Sequence, residues 1–289
     1  METSIYKSEN YKAEIMKLYN ERLEACNIEY EDLYADTFAG KTHIIATGSK
    51  SNPPLIILHG INAGAPMAIE SIKGLNKHYR IYAIDTVGQA TKSAETRLPM
   101  NNDSYAKWVK ETMEKLEIAK APVIGVSYGA FLLQKLMTYF PEKITKGIFV
   151  VPAGFVNGAF LKSMKKLTFP LIRFISTKSE SKLTAFMDAF YSHIEERDIA
   201  FQKNVLLGVK VDYRRPTLLT AQDVKKLAAP VYAMVADDDI FFPGDKALEK
   251  CKAIFKNFKG SHVLKNTKHI PALSIYPEIE NKIEKWLAE

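Results

Sequence analysis

The sequence predicts an α/β fold, a mostly parallel central sheet with helices on both faces and one helical insertion. Three observations predict it. Short apolar runs at 53–58, 79–85, 121–124, 146–152 and 229–235 alternate with amphipathic stretches, the pattern of buried parallel strands joined by crossover helices. The pentapeptide Gly125-Val126-Ser127-Tyr128-Gly129 stands between one such run and a helical repeat. From Phe155 to about Lys226 the alternation gives way to short amphipathic helices. Residues 1–154 and 227–289 are therefore expected to form the core, with 155–226 as a helical lid over the C-terminal edge of the sheet.

The elements follow in order. Ile15, Leu18, Tyr19, Leu23 and Cys26 share one face of a helix over 11–26, a packing helix without evident chemistry. Two strands, 33–38 and 42–47, turn at Ala39-Gly40, with His43 an ordinary strand residue. Gly40-Lys41-Thr42 ends like a phosphate-binding loop, but Ala35 stands where that motif needs glycine and no helix follows. The strand 53–58 runs into His59-Gly60-Ile61-Asn62-Ala63-Gly64, a loop able to turn backbone N–H groups towards an oxyanion, the Ile61 N–H above all. His59 reads as a hydrogen-bonder beneath that loop, and 67–78 as the crossover helix. Asp85 ends the strand 79–85 and is expected to brace the loop after it. Asn102 or Asp103 caps a helix through Leu116.

Around the pentapeptide the context is strand, sharp turn, helix. A serine at such an apex has a strained backbone, and side chains two residues away would collide with strand or helix; Gly125 and Gly129 remove that collision. The turn opens a helix that Pro141 stops, so the Tyr128 N–H points where negative charge would develop. Phe155, Phe160, Met164, Leu167, Phe169, Phe174, Phe186, Met187, Phe190, Tyr191 and Phe201 supply the insertion's apolar residues; most of its aromatics are expected in its core, and a few are expected to line an apolar pocket. Past it come the strand 229–235, Asp237-Asp238-Asp239, a helix over 244–257, the strand 260–265 and Lys268-His269. A helix over 276–286 closes the chain.

Composition narrows the function classes. The 289 residues are 47% hydrophobic and 25% charged, enough for a sizeable core, and no apolar run approaches a membrane span. The first ten residues lack the layout of a secretory signal, and Cys26 and Cys251, far apart, read as reduced thiols, too few for a metal cluster; the cytoplasm is the expected compartment. Of the net charge of +7, most lies in the insertion, where 13 Lys/Arg face 7 Asp/Glu. Their scatter among apolar residues favours a solvated face, and no aromatic-interleaved basic stripe supports nucleic-acid binding. The sequence carries no signal for oligomeric state.

With these pieces assembled, the chain from about Leu33 to its end resembles the α/β-hydrolase family, and within it small bacterial carboxylesterases. The likeness rests on His59-Gly60, on Gly125-Val126-Ser127-Tyr128-Gly129, on Asp239 with Pro243, on Lys268-His269, and on the hairpin with Gly40 and the strand leading to Lys92-Ser93. Gly88-Gln89-Ala90 departs from the Gly-His-Gly of many members. The resemblance implies Ser127 as nucleophile, His269 as general base and Asp239 as its orienting acid, in the chain order of this fold, with Asp238 the leading alternative for the acid. It further implies an oxyanion hole from the Ile61 and Tyr128 N–H groups. His262 lies within a strand and His193 in the insertion, and neither fits the base. The expected activity is hydrolysis of a small or medium apolar carboxylic ester through an acyl-enzyme, without metal or organic cofactor. The alternatives are thioester or carbon–carbon cleavage by the same residues, or a non-catalytic ligand-binding role.

Overall fold

The computed structural model describes residues 4–212 and 214–289. Residues 1–3, the start of the stretch read above for a signal layout, and Tyr213 lie outside the described residues, as do the side chains of Phe160 and Lys162. Among the described residues eight strands form one sheet: β1 (Tyr30–Thr37), β2 (Gly40–Thr47), β3 (Pro54–Leu58), β4 (Arg80–Ile84), β5 (Ala121–Val126), β6 (Ile144–Val150), β7 (Val231–Ala236) and β8 (Phe258–Leu264). Their spatial order is β1-β2-β4-β3-β5-β6-β7-β8. β1 and β2 form a hairpin, with Gly40 at φ 100 in the turn, and β2 meets β4 antiparallel; every later pairing is parallel. This is the expected mostly parallel α/β sheet.

Side-chain alternation divides the core. Ile56 and Leu58 of β3 join one buried cluster while Leu55 and Ile57 join the other, on the opposite face. Helices α3 (Ser104–Lys115), α4 (Tyr128–Tyr139) and α9 (Gly244–Ile254) cover the first; α1 (Glu9–Ala25), α2 (Ala65–Glu70) and α10 (Tyr276–Ala288) cover the second. The crossover helix expected over 67–78 is broken: α2 stops at Glu70, and a 3-10 turn, Lys73–Lys77, replaces the rest. The backbone leaves helical geometry at Ile72 (φ −141, ψ 18), and in the turn beyond it the Gly74 N–H donates to Glu280 Oε2 of α10 at 2.7 Å. A Cβ at Gly74 would lie 2.2 Å from the other oxygen of that carboxylate.

Between β6 and β7 the chain forms α5 (Phe160–Ser163), a π turn (Met164–Thr168), α6 (Phe169–Thr177), α7 (Glu180–Met187) and α8 (Glu196–Gly208). The π turn answers Pro170, which in a regular helix would clash with the Lys166 carbonyl. α8 is tied to the sheet side by Arg22 of α1, which reaches Asp198 and Glu70 at 2.8 Å each, while Arg197 meets Glu70 at 2.7 Å.

The strand order sets where a ligand belongs. From β3 the chain moves outward to β4, then returns to the other side of β3 as β5, so the loops leaving β3 and β5 separate at a switch point. Leu58 pairs with Gly125 in register. The loop at 59–64 and the pentapeptide therefore leave the sheet side by side.

Candidate active site

Ser127 sits between β5 and α4 at φ 50, ψ −111, a conformation that only a tightly determined surrounding sustains. Its N–H donates to the Val150 carbonyl at 3.0 Å and its own carbonyl accepts from Ala130 and Ala153, so both neighbouring elements hold the turn. The flanking glycines are sterically required. A Cβ on Gly129 would stand 1.9 Å from the Leu58 carbonyl oxygen, and one on Gly125 would stand 2.7 Å from the Ala130 Cα. A second strained residue, Val151 at φ 42, follows β6 beside the turn.

Facing the serine hydroxyl is His269, from the loop after β8. Ser127 Oγ and His269 Nε2 lie 2.9 Å apart, and His269 Nδ1 lies 2.7 Å from Asp239 Oδ2, all three side chains buried. The other Asp239 oxygen accepts from the N–H groups of Phe241 and Phe242 at 2.8 and 3.0 Å, a local turn that fixes the carboxylate. Those phenyl rings stand nearly edge-on to the imidazole, centroids 5.0 and 5.5 Å away. Asp238 is exposed and its backbone, not its carboxylate, bonds the histidine loop, through Thr267. Asp237 is exposed and accepts from the Asn266 and Thr267 N–H groups; slight desolvation opposes its ionisation, yet those two donors hold its carboxyl below the ordinary range. Of the rival histidines, His262 pairs with Glu278 at 2.6 Å and His193 is exposed beside Glu195.

Gly60 packs against the serine, since a Cβ there would stand 3.4 Å from the Ser127 Cβ. Ile61 follows it, and Tyr128 opens α4, where a helix leaves its first N–H groups without intrahelical acceptors. His59 lies beneath the loop, accepting from the Thr86 N–H at 2.9 Å through Nε2 and bonding the Gly60 carbonyl through Nδ1. Burial lowers its pKa, in keeping with a neutral ring. Asp85 braces the same loop, its Oδ1 accepting from the Ala65 N–H at 2.8 Å.

The serine and histidine open onto a cavity of about 280 Å³. Loop 60–63 and Met67 line one side, Phe186, Phe190, Gln202 and Leu206 of α7, its C-terminal turn and α8 the other. Among the described residues its walls carry no Asp, Glu, Lys or Arg.

Similarity to known proteins bears on the fold. Residues 53–172 match the family described as the alpha/beta hydrolase fold. The chain has the α/β-hydrolase fold. It is 26% identical to carboxylesterase YbfK of Bacillus subtilis over 275 residues, covering 91% of this chain and 90% of that one. With an uncharacterized carboxylesterase, nap, of the same organism it shares 23% over 281 residues, 93% of this chain and 90% of the other. The crystal structure of naproxen esterase (carboxylesterase NP) from Bacillus subtilis superposes with a TM-score of 0.82 at 20% identity, covering 95% and 97% of the two chains.

Two features of this hydrolase fold escaped the sequence reading. Gln89, in the segment where the family pattern is broken, accepts from the Asn62 N–H at 2.9 Å and so holds the loop beside Ile61. His43, read as an ordinary strand residue, is fully buried with Nδ1 2.8 Å from Asp85 Oδ2 and Nε2 2.6 Å from Asp32 Oδ1. Tyr19 of α1, read as packing only, also donates to Asp85 Oδ2 at 2.8 Å. The polar run Asp32, His43, Asp85 was the available signal, but the alignment of three strands that makes it a cluster is a long-range fact.

Proposed function

We propose that this chain hydrolyses carboxylic esters of small or medium apolar substrates through an acyl-enzyme. The observation that carries the reading is the continuous hydrogen-bonded row Asp239–His269–Ser127 on the wall of an apolar cavity. A serine hydroxyl is almost un-ionised at neutral pH and needs a base in contact; that base needs an anion to fix its tautomer. In this scheme Ser127 Oγ bonds to the ester carbonyl carbon as its proton passes to His269 Nε2, and Asp239 stabilises the imidazolium. The carbonyl oxygen, now negative, takes hydrogen bonds from the Ile61 and Tyr128 N–H groups, each such donor typically worth about 3–4 kcal/mol in the barrier. Collapse breaks the ester C–O bond, and the alcohol leaves with the proton from His269. Water, deprotonated by the same imidazole, then releases the acid and restores Ser127.

The uncharged cavity wall supports a neutral substrate, because a buried ionic group would find no counter-charge there. Residues 155–226 act as the cap in this reading, since Phe186, Phe190, Gln202 and Leu206 close the cavity over the serine. The free, buried Cys26 and Cys251 support a cytoplasmic setting. A panel of chromogenic esters, thioesters and diketones tests the bond class. Esters with short apolar acyl groups should turn over fastest; thioester turnover with every ester inert would remove the esterase reading.

A further inference from the structure

The outer face of the helical insertion is unlike the rest of the surface. Leu161, Phe169, Ile172 and Ile175 are 79%, 54%, 54% and 42% exposed. The last three recur at i, i+3 and i+6 along α6 and so share a stripe, while Phe174 on the far side is fully buried and Leu167 and Leu171 pack inward. Scattered exposed apolar residues are ordinary, but a row of large ones along one helix marks a contact surface. The charge around the row is one-sided. From 160 to 182 the sequence holds six Lys/Arg and one acidic residue, Glu180. Lys165, Lys166, Arg173, Lys178 and Lys182 are exposed, and none of the five forms an ion pair among the described residues.

We infer that α5, the π turn and α6 dock this protein on an anionic lipid surface, the apolar row entering the acyl boundary and the cations meeting headgroups. An amphipathic helix with Phe, Leu and Ile on one face and Lys/Arg on its flanks suits an interface, where long basic side chains reach outward past buried apolar neighbours. A second copy of the chain is a poor occupant because it would bring the same uncompensated positive charge. The helix does not span: no helix among the described residues is long and apolar enough to cross a membrane. Docking here sets the cap, whose α7 and α8 line the cavity, next to a phase that concentrates apolar esters.

Flotation of the full chain with vesicles tests this independently of the hydrolase reading. The protein should float with phosphatidylcholine vesicles containing phosphatidylglycerol and stay behind with pure phosphatidylcholine, and added salt should weaken the binding. Reversing Lys165, Lys166 and Arg173 to Glu should lower the partition coefficient at least about tenfold, since each basic residue near such a surface contributes about fivefold. Phe169→Ser with Ile172→Ser should also lower it about tenfold, because the row adds apolar burial to the charge. Both variants should melt as the wild type does and keep its turnover of a water-soluble ester. Equal binding to neutral and anionic vesicles, or charge reversal without effect, overturns the inference. So does retention on soluble polyglutamate that survives Phe169→Ser/Ile172→Ser without vesicle binding, which would assign the face to an acidic protein.

Discussion

Two imidazoles in this chain meet a buried carboxylate in nearly the same way, and only one belongs to the proposed chemistry. His269 Nδ1 lies 2.7 Å from Asp239, and His43 Nδ1 lies 2.8 Å from Asp85. The other ring nitrogen separates them. Nε2 of His269 meets the Ser127 hydroxyl at the cavity wall, whereas Nε2 of His43 meets a second carboxylate, Asp32, and neither of these two residues lines that cavity. Carboxylates occupy both ring nitrogens of His43, so neither is left to face a reactant. His269 keeps Nε2 facing an alcohol. A carboxylate–imidazole pair is thus a common structural device, and the partner on its far side decides whether it can act as a base.

Substitution at the two sites should break the comparison cleanly. His269→Ala is expected to lower kcat by about five to six orders of magnitude on a chromogenic ester with little change in melting. Asp239→Asn keeps the shape but favours the wrong tautomer, so a loss of about 10⁴ in kcat should follow. His43→Leu should do the reverse. It removes the imidazole partner of the buried Asp85 carboxylate, a cost of about 3–5 kcal/mol in chemical denaturation, while the folded fraction retains kcat within about tenfold. A kcat loss at His43 as large as that at His269 would contradict the division.

The pH dependence sharpens it further. Burial opposes ionisation of Asp85, but its hydrogen bonds from His43 and the Ala65 N–H outweigh that and hold its carboxyl below the ordinary range; for Asp32, His43 and Lys92 outweigh desolvation in the same sense. A folded pKa below the unfolded one means the unfolded chain binds more protons, so the contribution is full above about pH 3.9 and fades as pH falls through the folded value. Melting curves between neutral pH and acid should therefore show a shallower acid limb for Asp32→Asn than for wild type. The smallest effect belongs to Asp238→Asn, an exposed carboxylate without contact to His269, where kcat should stay within about twofold.

Much of this was legible in the sequence because it is local. Gly125 and Gly129 announce a turn that tolerates no side chain, and the Leu58 carbonyl against Gly129 shows why. Ser127 and His269 were singled out by motif and loop position, and the structure sets them in contact. The choice among Asp237, Asp238 and Asp239 was less legible, since three adjacent carboxylates differ only in direction; the Phe241 and Phe242 N–H groups aim Asp239 inward. The crossover helix was overestimated because it ends at Glu70, and the turn after it is held by a bond from Gly74 to Glu280, which is remote in the chain. His43 was missed for the same kind of reason: Asp32, His43 and Asp85 meet only when β1, β2 and β4 align.

The central claim is that Ser127 is a nucleophile activated by His269. Intact-mass analysis after treatment with a fluorophosphonate probe tests it most directly. One adduct on wild type, mapped to Ser127, absent from Ser127→Ala and strongly slowed in His269→Ala, is the predicted result. Wild type that stays unlabelled, or labelling that persists in Ser127→Ala, would contradict it.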